Sequence, residues 1–211
     1  MTIRILITDD HAIVREGLRR ILNAYPDMAV VGEAADGIAA LQAINICVPD
    51  VVLVDISMPG MNGIELVHRI HEAHPSMHLL VLSMHKEEQF AVRALKAGAS
   101  GYLSKDCAPE HLAQAIHKIM AGGRYITPEV AEALANSIIP EQTETPHKRL
   151  SNREFQVFRM LAAGKTVNEI AIELSLSPNT VSTHKGRLMN KLGVDNNAGL
   201  VHYAVRHQIL Q

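Results

Sequence analysis

The chain contains no tryptophan, and three Phe and four Tyr bring aromatics to only 3% of its 211 residues. With apolar residues at 47%, a core can form, but it must be aliphatic. Cysteine occurs twice, at 47 and 107. Two such residues make no disulfide framework and have no metal-ligand spacing, so a reducing, cytoplasmic setting is expected. Cys47 lies in an apolar run and reads as packing. No stretch of about 18 uninterrupted apolar residues occurs, which argues against a membrane span. The first ten residues lack the basic start and long apolar stretch of a signal peptide.

An excess of either sign is also lacking, at a net −2, but charge is unevenly spread. Residues 1–122 hold 10 basic and 14 acidic side chains; residues 123–146 hold 1 and 4; residues 147–211 hold 9 and 4. A basic last third on an acidic body points to a polyanion partner for that third alone.

What the chain does have is alternation. Aliphatic runs at 3–8, 30–33, 51–54, 78–82 and 100–103 are each followed by a helical pattern of apolar residues. Five βα units predict a doubly wound, five-stranded parallel sheet in the flavodoxin-like order, with its ligand site at the carboxyl ends of the strands. From 123 to 148 the chain turns polar and Pro-bracketed, notably over Ile138–Pro146, and reads as a linker holding one short helix near 128–137. From Leu150 onward the pattern is wholly helical, in four short segments.

The strand ends carry the chemistry. Asp9 and Asp10 follow the first strand and Asp55 ends the third, and in a flavodoxin-like order these strands are neighbours. Ser83 ends the fourth strand and Lys105 follows the fifth. Carboxylates crowded together need a cation to stay ionised, and a hard divalent ion such as Mg2+ suits oxygen ligands. Asp55 then becomes a candidate nucleophile toward phosphorus, with Lys105 neutralising phosphoryl charge and Ser83 donating a hydrogen bond.

In the last third, Ser151 and Glu154 form a capping-box pattern. A short helix at 168–174, the turn Ser175-Leu176-Ser177-Pro178 and a longer helix at 178–192 predict a helix-turn-helix. Val181, Leu188 and Leu192 share the inner face of the longer helix, with His184 at its flank. Asn179, Thr180, Ser182, Thr183 and Asn190 would offer small polar groups to bases, and Lys185, Arg187 and Lys191 would contact phosphates. Gly186 costs stability inside a helix, which makes sense where DNA comes close.

With these motifs in place, residues 1–122 resemble a receiver domain of two-component signalling. The likeness rests on Asp9-Asp10, on Asp55 within Val54-Asp55-Ile56-Ser57-Met58-Pro59-Gly60, on Ser83, and on Lys105-Asp106. Residues 149–211 resemble a LuxR-type helix-turn-helix domain. Leu150–Glu154, Asn168–Ala171, Leu174–Pro178, Thr180–His184 and Lys191–Val194 carry that resemblance. Together they mark a response regulator of the NarL/LuxR (FixJ) family, and within it the GacA/UvrY group, partly through Arg124–Pro128.

The resemblance implies that Asp55 accepts phosphate from a sensor histidine kinase. It also implies Mg2+ held by Asp10, Asp55 and the Ser57 carbonyl, with Asp9 acting through water. Ser83 and Tyr102 are implied as switch residues, and double-stranded DNA and a phosphorylation-dependent homodimer as partners; RNA polymerase is a further candidate partner. Ser182, Gly186 and Asn197-Ala198 depart from residues frequent in relatives, which leaves the operator open. Two other readings stand beside this one: a receiver serving only as a dimerisation scaffold, and a Mg2+-dependent phosphatase-like enzyme. Ser57, where such enzymes commonly carry a second Asp, argues against the latter. His68, His71 and His74 recur at three-residue spacing, yet nothing completes a zinc site. His11 is expected mainly to cap the first helix.

Overall fold

The computed structural model describes residues 2–84, 88–136, 145–207 and 209, and of residues 88, 89, 136 and 148 the backbone only. The chain divides into two compact units, Met1–Ile139 and Pro140–Gln211.

The first unit follows the alternation of the sequence. Its elements are β1 (Ile3–Thr8), α1 (Ala12–Asn23), β2 (Met28–Ala34), α2 (Gly37–Cys47), β3 (Val51–Asp55), α3 (Gly63–Ala73), β4 (His78–Ser83), α4 (Glu88–Lys96), β5 (Gly101–Ser104), α5 (Pro109–Met120) and α6 (Pro128–Asn136). All strand pairs are parallel, in the order β2-β1-β3-β4-β5. The central strand β3 is buried along its whole length, which is why Val51–Val54 is an unbroken apolar run. On one face Ile5, Ile7, Leu53, Leu80 and Leu82 pack with Leu22 of α1 and Leu112, Ile116 and Ile119 of α5. Each such side chain contributes about 1.5–3 kcal/mol on burial, so branched aliphatics stand in for the missing aromatics.

The segment expected to start a linker at residue 123 instead continues the first unit. Tyr125 forms an isolated parallel bridge with Gly101 at the edge of the sheet. Its carbonyl accepts from the Tyr102 N–H at 2.9 Å, and its own N–H donates to the Ser100 carbonyl at 3.1 Å. The cause is the open side of β5, which offers backbone groups that must find partners. Helix α6 then packs on α4 and buries Val130. Most of Ile138–Pro146, the polar part of the expected linker, lies outside the described residues.

The second unit holds α7 (Asn152–Ala162), α8 (Val167–Glu173), α9 (Pro178–Leu192) and α10 (Asn197–Arg206), preceded by a 3-10 turn at Pro146–Arg149 that the periodicity did not signal. Ser151 caps α7 and Glu154 returns the bond to the Ser151 N–H, completing the capping box. Thr166 and Glu169 repeat the device at α8. Ser177 caps α9, with Pro178 at its first position, and left-handed Gly193 (φ 67°) ends it. Phe155, Phe158, Ile170, Val181, Leu188 and Leu200 form the core. Among the described residues, no helix is long and apolar enough to cross a membrane.

Candidate functional site

Because β1 and β3 pair with Thr8 opposite Val54, the residues that follow, Asp9 and Asp55, emerge side by side at the carboxyl edge. Both are buried, at 1% and 3% exposed. Lys105 is brought over them by the bond from its N–H to the Ser83 carbonyl, 2.9 Å long. Its Nζ lies 2.6 Å from Asp9 Oδ2 and 3.0 Å from Asp55 Oδ1. Asp55 Oδ2 is buried and has no hydrogen-bond partner.

Burial pushes the Asp55 carboxyl above its ordinary value; Lys105 opposes this, Asp9 adds to it, and the Ser57 N–H opposes it. For Lys105 burial disfavours the ammonium, but the Asp55 and Asp9 carboxylates outweigh that and hold its pKa up. Asp55 and Asp9 share one ammonium, and Asp55 stays raised mainly because it is buried. A divalent cation would compensate the pair further. Asp9, Asp10, His11 and Asp55 each offer a ligand atom, all within 4.8 Å of one another, and this is the one such group of three or more among the described residues.

Four supports hold the pocket. Gly60 turns the loop after β3 at φ 68°. Asn62 caps α3 by accepting from the Glu65 N–H at 2.9 Å. Gly63 passes so close beneath Asp55 that a Cβ there would lie 1.9 Å from the Asp55 carbonyl oxygen. Arg15 donates to the Asp9 carbonyl at 2.8 Å while its Nε meets Glu33 at 3.2 Å. The sequence reading missed Arg15; its place one turn into α1, on the side of the acidic pair, was the available signal.

Of the other expected residues, Ser83 is fully buried at the end of β4, beside the pocket rim. Tyr102 is buried within β5, paired with Val81. The expectation for His11 fails: it stands at the N-cap of α1, but its side chain makes no capping bond. Its Nδ1 instead lies 2.8 Å from Asp10 Oδ1, drawn by the carboxylate. The three-histidine row is not a cluster: His68 pairs with Glu72 at 3.3 Å, while the ring of His71 packs where a Cβ on Gly98 would clash.

In the second unit, Val181, Leu188 and Leu192 are buried on α9, and the opposite face is open. Asn179, Ser182, Thr183, Gly186, Arg187, Asn190 and Lys191 are exposed, whereas Thr180 and Lys185 are half-buried. A Cβ built on Gly186 would meet nothing within 4 Å. Thr180 and Thr183 are engaged locally: Thr180 Oγ1 lies 2.8 Å from Ser177 Oγ, and Thr183 Oγ1 donates to the Asn179 carbonyl at 2.9 Å. Lys191 is tied inward, 2.7 Å from the buried Glu154 carboxylate. Burial would raise that carboxyl, but Lys191 and Ser151 outweigh it and hold it below the ordinary value. Arg153 donates to the Leu174 carbonyl at 3.3 Å, so it closes the end of α8.

Comparison with known proteins agrees with this geometry in both units. Residues 5–117 match the response regulator receiver domain. Residues 148–204 match bacterial regulatory proteins of the luxR family. The response regulator UvrY of Escherichia coli is 41% identical over 206 residues, covering 97% of this chain and 94% of UvrY. The response regulator GacA of Pseudomonas aeruginosa is 38% identical, covering 97% and 96%. RcsB from Salmonella enterica serovar Typhimurium, solved bound to the promoter rprA with the phosphomimetic BeF3−, aligns at 32% identity and a TM-score of 0.65. That alignment covers 96% of this chain and 98% of RcsB. The chain therefore belongs to the response regulators that join a receiver to a LuxR-family DNA-binding domain, a family of transcription regulators rather than of classical enzymes.

Proposed function

We propose that Asp55 is the phospho-acceptor of this regulator, that a sensor histidine kinase is its donor, and that Mg2+ assists the transfer. The observation that carries this is the Asp55 carboxylate itself. It is buried, pushed up in pKa, held through Oδ1 by Lys105 and free of partners at Oδ2. An Asp55 oxygen attacks phosphorus while the bond from phosphorus to the donor histidine nitrogen breaks, leaving an aspartyl phosphate. Lys105 stays beside the new phosphoryl oxygens as a fixed positive charge, and Ser83, at the next strand end, reaches them by a hydroxyl.

The donor set fits a hard divalent ion. Asp9 has both oxygens engaged, Oδ1 by the His11 N–H at 2.9 Å and Oδ2 by Lys105, so it acts through water. Asp10, Asp55 and the Ser57 carbonyl are left as direct ligands. When bound, Mg2+ would neutralise charge on the transferring phosphoryl group.

Phosphorylation shifts the receiver, with Tyr102 as the second switch residue, toward a state that dimerises and binds DNA more tightly. A tenfold change in affinity needs about 1.4 kcal/mol, within reach of one charge-assisted hydrogen bond. On α9, Asn179, Thr180, Ser182, Thr183 and Asn190 face bases, and Gly186 lets the backbone approach. Lys185 and Arg187 contact phosphates, and Lys191 does so from its anchor on Glu154. The protein acts in the cytoplasm, with RNA polymerase as a further partner at promoters.

The test is incubation with acetyl phosphate and Mg2+, followed by intact mass and DNA titration. Wild type gains one phosphoryl group and binds DNA more tightly; Asp55→Asn does neither. Equal mass gain by Asp55→Asn, or equal DNA affinity before and after labelling, would refute the reading.

A further inference from the structure

The pocket is not made of oxygen alone. His11 Nδ1 lies 2.8 Å from Asp10 Oδ1 and 3.4 Å from Asp9 Oδ1. Its ring is two-thirds exposed and makes no bond to α1. The bond from its N–H to Asp9 Oδ1 pins its backbone to the pocket, so the ring sits at the mouth. A ring nitrogen of His11 joins the ligand atoms of Asp9, Asp10 and Asp55 within 4.8 Å of one another. An ion at roughly 2.0–2.2 Å from each ligand bridges atoms up to about 4.4 Å apart, so a small closure lets His11, Asp10 and Asp55 share one, with Asp9 held through water. The buried, unpartnered Asp55 Oδ2 is an independent sign that the pocket is built to receive a ligand.

We infer that His11 is a metal ligand of this pocket through Nδ1, and that it makes the pocket a site for imidazole-preferring divalent ions of the Zn2+ and Ni2+ class. The inference rests on the reading of Asp10 and Asp55 as cation holders. Mg2+ is hard, prefers oxygen and keeps several waters, so it gains little from an imidazole. Zn2+ and Ni2+ stand later in the first-row affinity order and bind imidazole well. A carboxylate site with one imidazole at its mouth therefore serves two classes of ion, and His11 adds affinity for only one of them.

Ligation through Nδ1 of the neutral ring requires the proton on Nε2, and a proton that starts on Nδ1 reaches Nε2 through water with no net loss. The competing role for His11 is purely electrostatic, a positive or polar group that softens repulsion between Asp9 and Asp10. In that role it would alter affinity for every divalent cation alike.

The experiment is calorimetric titration of the full-length protein with Mg2+ and, separately, Ni2+, together with the ligand-field absorption of bound Ni2+. Wild type, His11→Ser, Asp10→Asn and Asp55→Asn are compared. Serine is a favoured N-cap residue and too short to reach the ion, so the fold is protected. The chain holds 12 histidines, so the signal that disappears in Asp10→Asn defines the pocket site. His11→Ser is expected to weaken Ni2+ at that site about tenfold or more, to remove the nitrogen-ligand contribution to its absorption, and to shift Mg2+ by about twofold at most. An equal loss for both ions, or an unchanged Ni2+ spectrum, would overturn the role of His11 while leaving Mg2+ binding at Asp55 intact. Mg2+ binding absent from wild type, or indifferent to Asp55→Asn, would overturn the underlying pocket reading as well.

Discussion

Two glycines, Gly63 and Gly186, show how differently the two halves of this regulator are built. Gly63 is pressed against the Asp55 carbonyl, and no side chain fits. Gly186 looks out on open space, and any small side chain fits. The receiver pocket is a place where the fold leaves no freedom: charges are buried, strands set their spacing, and each support has a partner. The outer face of α9 is the reverse, solvated and small, with its shape left for a partner to complete. Mutations should therefore act through stability and geometry in the first half and through binding in the second.

The sharpest test of that contrast is Gly63→Ala. Its Cβ must displace backbone, at a cost of about 3 kcal/mol or more. Thermal melting should fall and acetyl-phosphate labelling should be lost; an unchanged melting temperature would show that the loop under Asp55 yields.

Next in size is the response to Mg2+. At a free concentration 100 times its Kd, Mg2+ should stabilise the receiver by about 2.7 kcal/mol. Asp55→Asn should abolish most of that gain. Because Asp55 has a raised pKa, stability falls as the pH rises from the ordinary aspartate range to that raised value, and the full cost stands above it. Asn should accordingly melt higher than wild type in metal-free buffer at neutral pH, and a lower melting point there would contradict the charge assignment.

Lys191→Ala probes a place where the outer face of α9 reaches the interior. It leaves the buried Glu154 carboxylate without its ammonium, at about 1–3 kcal/mol. The depressed pKa of Glu154 means that its contribution is present above the ordinary glutamate range, near pH 4.3, and lost as the pH falls through the lower folded value. Wild type should lose that increment in acid, while Lys191→Ala should show a flatter acid limb in a pH series of chemical denaturation.

Arg187→Ala should leave stability alone. It should reduce the slope of log affinity against log salt by about one unit, as expected for one lost phosphate contact. The smallest effect belongs to Gly186→Ala. Helix propensity predicts up to about 1 kcal/mol of added stability, and close approach of DNA predicts weaker binding. Stronger or equal binding would show that the backbone at 186 is not approached.

What could be read in advance follows the same division. Strands that lead into Asp9 or end in Asp55 and Ser83 announce themselves, because a buried parallel strand needs an unbroken aliphatic run and a polar exit. The Ser151–Glu154 capping box is equally local. Lys191 meeting Glu154 across 37 positions is not local, and the ring of His11 turning to Asp10 and Arg15 reaching the Asp9 carbonyl, though near in sequence, depend on which way a side chain turns. Periodicity says which face a residue occupies, not which distant group it meets there. Tyr125 escaped for the same reason, since a single bridging residue has no pattern.

That bridge has a consequence for how the molecule keeps to itself. Strand β5 has only four residues and would be the sheet's bare rim, and bare rims recruit foreign strands. Tyr125 occupies the Tyr102 N–H and the Ser100 carbonyl there. A receiver cut at residue 122 would therefore lose more than a tether: it would expose a sticky margin, and its failure would show as self-association in sedimentation rather than as a loss of chemistry at Asp55.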